Sequence, residues 1–289
     1  MIDLGIGNKV LLITGANHGI GAATAKAFAN QGVKVCIAYY REPCKFSENE
    51  LENALTKNEG GELLYRANQQ KTPNVLIKEI NESHGVAVEI EKDLSILSNI
   101  IELFDFCEKE IGPVDILINN HTYASLDTFD QASVTSEGFG IDLISADNID
   151  NNFKINTRAY ALLMVEYTKR YLKRNAKNGK IINISTDAAH AHEINVSYAA
   201  SKHAIESYSR SAALELGKYG ITVNIASIGP IQTGYLTPEE EKSIANQIPL
   251  KRIGRPEDVA DALLLLASEQ AHWITGQLIY IGGGWRMHQ

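Results

Sequence analysis

Tyr198 and Lys202 stand four residues apart in the segment YAASK. On a helix that spacing puts both side chains on one face. An ammonium beside a phenol favours phenolate, bringing a pKa that starts near ~10 toward the working range. Such a pair can give and take a proton at a reacting oxygen. A core tyrosine followed by a solvated lysine has the same spacing, so the pair needs support from elsewhere in the chain. Thr14-Gly15-Ala16-Asn17-His18-Gly19-Ile20-Gly21 offers it. Glycines there let the backbone turn tightly and let a pyrophosphate approach a helix N-terminus, where free N–H groups point outward.

The elements that must position these residues alternate. Lys9 to Thr14 is a short apolar run that feeds the glycine turn, and Ala22 to Gln31 is an alanine-rich helix stopped by Gly32. Val33 to Tyr39 and Val86 to Ile90 read as strands. Val114 to Ile118 and Lys180 to Ile184 are the continuous apolar runs of strands covered on both faces. Asn151 to Leu172 and Ser197 to Lys218 read as long helices. A strand at Ile221 to Ala226, a helix from Pro256 to Ser268 with proline in its first turn, and a strand at Gln277 to Ile281 complete the series. Strands alternating with helices predict an α/β fold: one doubly wound, mostly parallel Rossmann-type sheet with helices on both faces, in a single domain over 1–289. Its ligand is expected beyond the carboxyl ends of the strands. Two stretches exceed a minimal version and are expected as insertions: 42–72, polar and helix-prone, read as surface elaboration, and 121–150, read as a wall for a substrate.

Composition narrows the field. The chain has 289 residues, enough for a large core, with 44% hydrophobic and 21% charged residues. Its net charge of −8 argues against a general nucleic-acid surface. No apolar run is long enough to span a bilayer, and the first residues carry no basic-then-apolar signal. Three cysteines without a Cys-x-x-Cys pair predict reduced thiols in the cytoplasm. His190, His192 and Glu193 lack metal-ligand spacing, so no metal is expected.

The ordered set of TGANHGIG, Ile118-Asn119-Asn120, Asn156, Ser185, YAASK and Gly229-Pro230 resembles the short-chain dehydrogenase/reductase family, in its one-domain branch. The resemblance covers nearly the whole chain apart from the two insertions, and is greatest to bacterial 3-oxoacyl-acyl-carrier-protein reductase-like members. It implies that Tyr198 is the general acid, that Lys202 lowers its pKa and holds the nicotinamide ribose, that Ser185 orients the carbonyl oxygen, and that Asn156 holds a water relaying protons to Lys202. Ser185 lies thirteen residues before Tyr198, the usual spacing. The family's strand-end phrase, however, would select Thr186, so both hydroxyls stay open with Ser185 preferred. The family's small residues after Asn-Asn are here His121 and Thr122; His121 is expected as a solvent-facing loop residue, with a place facing the substrate pocket as the alternative.

For the cofactor, the resemblance implies contacts from Gly15, Asn17, His18, Gly19, Ile20 and Gly21. Further contacts are implied from Asp93 and Leu94 by the adenine, from Asn119, and from Pro230, Ile231 and Thr233 on the nicotinamide side. NAD-preferring relatives carry an acid at the end of the second strand. Here Tyr39 takes that place, Arg41 stands just beyond it, and His18 sits where many NADP-binding relatives are basic. NADP(H) is therefore expected, with NAD(H) as the alternative. The stretch 233–250 corresponds to the family's lid over the substrate. The implied protein is an oxidoreductase of small carbonyl compounds and alcohols and, by analogy, a homotetramer. The other reading is a non-catalytic nucleotide-binding regulatory protein on the same fold. A sugar epimerase of the extended branch would need a differently spaced glycine turn.

Overall fold

The computed structural model describes residues 3–135 and 139–286. Seven strands form one parallel sheet: β1 (Val10–Thr14), β2 (Lys34–Tyr39), β3 (Val86–Glu91), β4 (Ile116–Asn119), β8 (Gly179–Thr186), β9 (Ile221–Ile228) and β10 (Leu278–Ile281). Their spatial order is β10-β9-β8-β4-β1-β2-β3. Every pairing within it is parallel. From β1 the chain runs outward to β2 and β3, then returns to β4 on the other side. That reversal opens a crevice at the carboxyl ends of β1 and β4, where the glycine turn leaves β1.

Alternation along each strand splits the interior into two layers. Leu11 and Ile13 of β1 pack with helices α1 (Gly19–Ala29) and α10 (Pro256–Ala267) on one face. Leu12, on the opposite pleat, joins α5 (Leu97–Glu110), α7 (Tyr160–Lys173) and α8 (Val196–Leu216) on the other. Each fully buried Leu or Ile contributes roughly 1.5–3 kcal/mol by leaving water.

The 42–72 stretch folds into α2 (Glu48–Lys57) and α3 (Glu62–Gln69) before the crossover helix α4 (Asn74–Glu82). A capping box starts α2: Glu50 N–H donates to Ser47 Oγ at 3.4 Å, and Ser47 N–H donates to the Glu50 carboxylate at 2.8 Å. The 121–150 stretch forms a small separate sheet from β5 (Asp127–Thr128), β6 (Ser133–Val134) and β7 (Gly140–Leu143), then enters α6 (Ala146–Phe153). The helix expected as one piece from Asn151 is α6 and α7 joined through a π-helical turn at Lys154–Ala159. Among the described residues no helix is long and apolar enough to cross a membrane.

Candidate active site

The glycine turn closes through contacts that a side chain would break. Gly15 and Gly19 have φ of +63° and +54°, in the left-handed region that favours glycine. A Cβ on Gly15 would lie 2.8 Å from the His121 Cα. The turn delivers the chain into α1, whose N-cap residue, His18, makes no side-chain cap. Free N–H groups of the first helical turn therefore remain available to an anion. The cavity of about 390 Å³ against them is lined by all six of the turn's expected residues, Gly15, Asn17, His18, Gly19, Ile20 and Gly21, and by Tyr39, Asp93, Leu94 and Thr233.

Several expected cofactor residues are engaged by other partners or lie outside the cavity. Arg41 does not line this cavity: its guanidinium is fastened to the Glu91 carboxylate, with Nη2 to Oε2 at 2.8 Å and Nε to Oε1 at 3.1 Å. The ion pair raises the Arg41 pKa and lowers that of Glu91. His18 supplies no positive charge at neutral pH, because burial, with help from Lys71, lowers its pKa to about 4. The Asn17 amide is spent on the carbonyls of Gln69 and Lys71, each at 2.9 Å. Asn119 is wholly buried and donates to Asn183 Oδ1 at 2.8 Å. Its neighbour Asn120 lines the cavity instead, with its amide on the Thr14 and Gly15 carbonyls at 3.1 and 2.8 Å. Gly229 and Ile231 line the neighbouring cavity, and Pro230 does not.

A second cavity, about 760 Å³, continues from the first and shares Ile20, Tyr65 and Thr233 with it. Tyr198, Lys202, Ser185 and Thr186 line it. Ser185 Oγ donates to the buried Glu206 carboxylate at 2.7 Å, while the Thr186 hydroxyl hydrogen-bonds the Tyr198 phenol. Burial, reinforced by nearby Tyr65, pushes the Tyr198 pKa up to about 12, while hydrogen bonding from the Thr186 and Thr122 hydroxyls pulls it back. Lys202 Nζ lies 6.0 Å from the Tyr198 ring centroid and donates to the Tyr160 hydroxyl and the Ile184 carbonyl, both at 3.0 Å. Burial lowers its pKa to about 7.

Asn156 sits in the π-helical turn, a distortion that recurs at functional sites. Its Oδ1 accepts from the Tyr123 N–H at 2.9 Å, and its Nδ2 donates to the Tyr123 carbonyl at 2.8 Å and to Ser201 Oγ at 2.9 Å. The side chain therefore staples the loop after β4 to the helix carrying Tyr198, and its donors are engaged. His121 is another correction. It is buried, not solvent-facing, with Nδ1 2.7 Å from Thr14 Oγ1 and Nε2 3.1 Å from the Ile155 carbonyl. That carbonyl only accepts, which fixes the neutral tautomer with the proton on Nε2. Burial, then the Lys202 charge, lowers the His121 pKa to about 3.

Sequence reasoning missed Tyr65, Asn120 and Tyr160 as site residues. Tyr160 donates to the His121 carbonyl at 2.7 Å while receiving Lys202. Nothing in its local sequence marks it, because only the fold brings it under Lys202. The residues gathering metal-type ligand atoms are also not those of the loop alone. His190, His203 and Glu206 lie within 4.8 Å of one another, with the Arg210 guanidinium 3.7 Å from the same carboxylate.

A glycine turn at the reversal point of a Rossmann-type sheet opens into a cavity with a tyrosine, two hydroxyls and a buried lysine. The family model described as enoyl-(acyl carrier protein) reductase matches residues 53–286, and the one described as short chain dehydrogenase matches residues 9–59. The chain belongs to the short-chain dehydrogenase/reductase family, a family of oxidoreductases. An uncharacterized oxidoreductase of Bacillus subtilis is 29% identical over 284 residues, 96% of each chain. A probable tetrahydroxynaphthalene reductase of Zymoseptoria tritici is 30% identical, over 95% of this chain and 93% of its own. The 3-oxoacyl-acyl-carrier-protein reductase FabG of Buchnera aphidicola is 29% identical, over 98% of this chain and 99% of its own. A short-chain type dehydrogenase/reductase from Mycobacterium marinum has the same fold, with a TM-score of 0.76 at 24% identity over 99% of this chain and 98% of its own.

Proposed function

We propose that this protein is an NADP(H)-dependent oxidoreductase that interconverts a ketone or aldehyde and the corresponding alcohol, with Tyr198 as general acid and base. The observation that carries this reading is the Tyr198 phenol and the Thr186 hydroxyl facing one cavity that joins the glycine-turn groove. The uncapped start of α1 fits a diphosphate, and Asp93 with Leu94 fits the adenine end. When bound, the dinucleotide would supply or accept hydride. Thr186 orients the carbonyl oxygen by hydrogen bonding, and Tyr198 delivers the proton as negative charge grows there. Lys202, held by Tyr160 and the Ile184 carbonyl, favours the phenolate that remains whenever it carries its proton. Asn156 keeps the loop and α8 in register as a positioning residue.

NADP(H) is preferred over NAD(H) because β2 ends in Tyr39 rather than an acid, and Arg41 stands next to cavity residues Tyr40 and Glu42. A 2′-phosphate would compete with Glu91 for the Arg41 guanidinium. The three free thiols suit a reducing cytoplasm. Val165, Leu172, Tyr208 and Leu214 on α7 and α8 are exposed and supply apolar faces for a homotetramer.

Fluorescence titration with NADPH and NADH, on wild type and Arg41→Ala, tests the cofactor. Tighter NADPH binding that Arg41→Ala selectively weakens by about ten-fold or more supports it. Equal or tighter NADH binding, indifferent to the substitution, contradicts the preference. Binding without turnover across a ketone panel would favour the non-catalytic reading.

A further inference from the structure

The 42–72 stretch lies across the groove instead of decorating the surface. On one side Asn17 of the glycine turn donates to the Gln69 and Lys71 carbonyls, each at 2.9 Å. On the other, Asn68 Nδ2 donates to the Thr233 carbonyl at 3.2 Å, and the Gly61 N–H donates to the Gly234 carbonyl at 2.9 Å. Gly60 packs so closely on the Leu236 carbonyl that a Cβ would overlap it. The segment is thus tied to the phosphate-binding turn and to the 233–250 stretch at once.

Tyr65 of α3 fills the span between these ties. Its ring meets His18 edge-on, with centroids 6.3 Å apart, and meets Tyr235 edge-on at 6.1 Å. It borders both cavities. A dinucleotide stretched from Asp93 to Tyr198 has to run past it.

We propose that residues 42–72 are a strap that closes over the bound dinucleotide, with Tyr65 as the wall that holds the cofactor's middle in place, and that strap opening sets the rate of cofactor exchange. The inference rests on the dinucleotide reading above. The ties are mostly single hydrogen bonds to loops, and Tyr65 belongs to neither main core layer. Such a segment opens without unfolding the sheet. When closed, it excludes water from the groove and links the phosphate end of the site to the substrate end.

Stopped-flow displacement of bound NADPH, and separately NADH, tests the strap on wild type, Tyr65→Ala, Tyr65→Phe and Asn68→Ala, with thermal unfolding recorded alongside. The expected result is an off-rate raised roughly ten-fold or more in Tyr65→Ala and Asn68→Ala, since changes at one interface act mainly on dissociation. Tyr65→Phe keeps the wild-type off-rate, because the ring makes the contacts. Unchanged off-rates in folded variants of a protein that binds and turns over dinucleotide overturn the strap alone. If Tyr65→Ala does not fold, Asn68→Ala decides by the same criterion. A wild type that binds neither NADPH nor NADH overturns the dinucleotide reading, and the strap with it.

Discussion

Ser185 and Thr186 are neighbours on β8, yet one bonds a buried carboxylate and the other faces Tyr198. Asn119 and Asn120 divide in the same way, one into the sheet and one into the groove. Neighbouring side chains at a strand end take different hydrogen-bond partners that only the fold supplies, so sequence spacing brought both pairs to the site without choosing between their members. Replacing Thr186 with Val should lower kcat by about a hundred-fold, the scale of a lost donor at a developing oxyanion. Replacing Ser185 with Ala should instead lower stability by about 1–3 kcal/mol, by taking a hydrogen bond from buried Glu206. Steady-state kinetics and urea unfolding of the two variants check this; the opposite pattern restores Ser185. The buried histidines make a separate prediction. His121 and His18 titrate near 3 and 4 when folded, against an ordinary value of 6.5. Between those values the unfolded chain binds protons that the native state does not. Their contribution is fully present above about pH 6.5 and is lost as pH falls, with a slope of about 1.4 kcal/mol per pH unit per histidine. The urea midpoint should therefore drop between about pH 6 and about pH 4.5, and drop less in His121→Asn. A slope unchanged by that substitution would show that His121 is not held neutral.

At the scale of elements, the sequence pattern located the strands of the main sheet and helices α1, α7, α8 and α10, because burial on fixed faces leaves a repeating pattern, but it did not reveal α5. It did not reveal the π-helical turn at Lys154–Ala159, which interrupts that helix without changing its polarity. Nor did it expose how α8 is capped. Its N-cap residue, Asn195, makes no side-chain cap; the Ser197 N–H donates instead to Asp127 Oδ1, at 2.9 Å, from the small sheet. Asp127 is fully buried, and seventy residues separate the two partners. A sequence-local capping rule cannot see that distance. The 121–150 insertion thus holds the first turn of the helix that carries Tyr198. Asp127→Ala should destabilise the protein by about 1–2 kcal/mol, as a lost helix cap does. The same variant should lower kcat, because the first turn of α8 loosens under Tyr198. Thermal unfolding and kinetics test both effects, and an unchanged Tm would mean that the cap does not support the helix.

At the scale of the whole molecule, alternation of strands and helices was enough to read the doubly wound sheet and to expect a ligand beyond the carboxyl ends of its strands. The two insertions were visible as excess length, while their positions were not. Polar, helix-prone residues such as 42–72 have the composition of a solvated surface, and only tertiary contacts fold them over the groove. Arg41 illustrates the limit from the other side: its place in the chain suits phosphate, but Glu91 on the adjacent strand engages it. On the proposed reading, the cofactor choice depends on a competition between two anions for one guanidinium. The most direct test of the central claim is turnover by Tyr198→Phe, followed as loss of reduced-nicotinamide absorbance with a ketone panel, beside its dinucleotide affinity. Wild type should reduce at least one ketone, and the variant should keep its affinity but lose about a thousand-fold or more in kcat, as expected on removal of a general acid with its oxyanion contact. A variant that turns over at the wild-type rate would contradict Tyr198 as the proton donor.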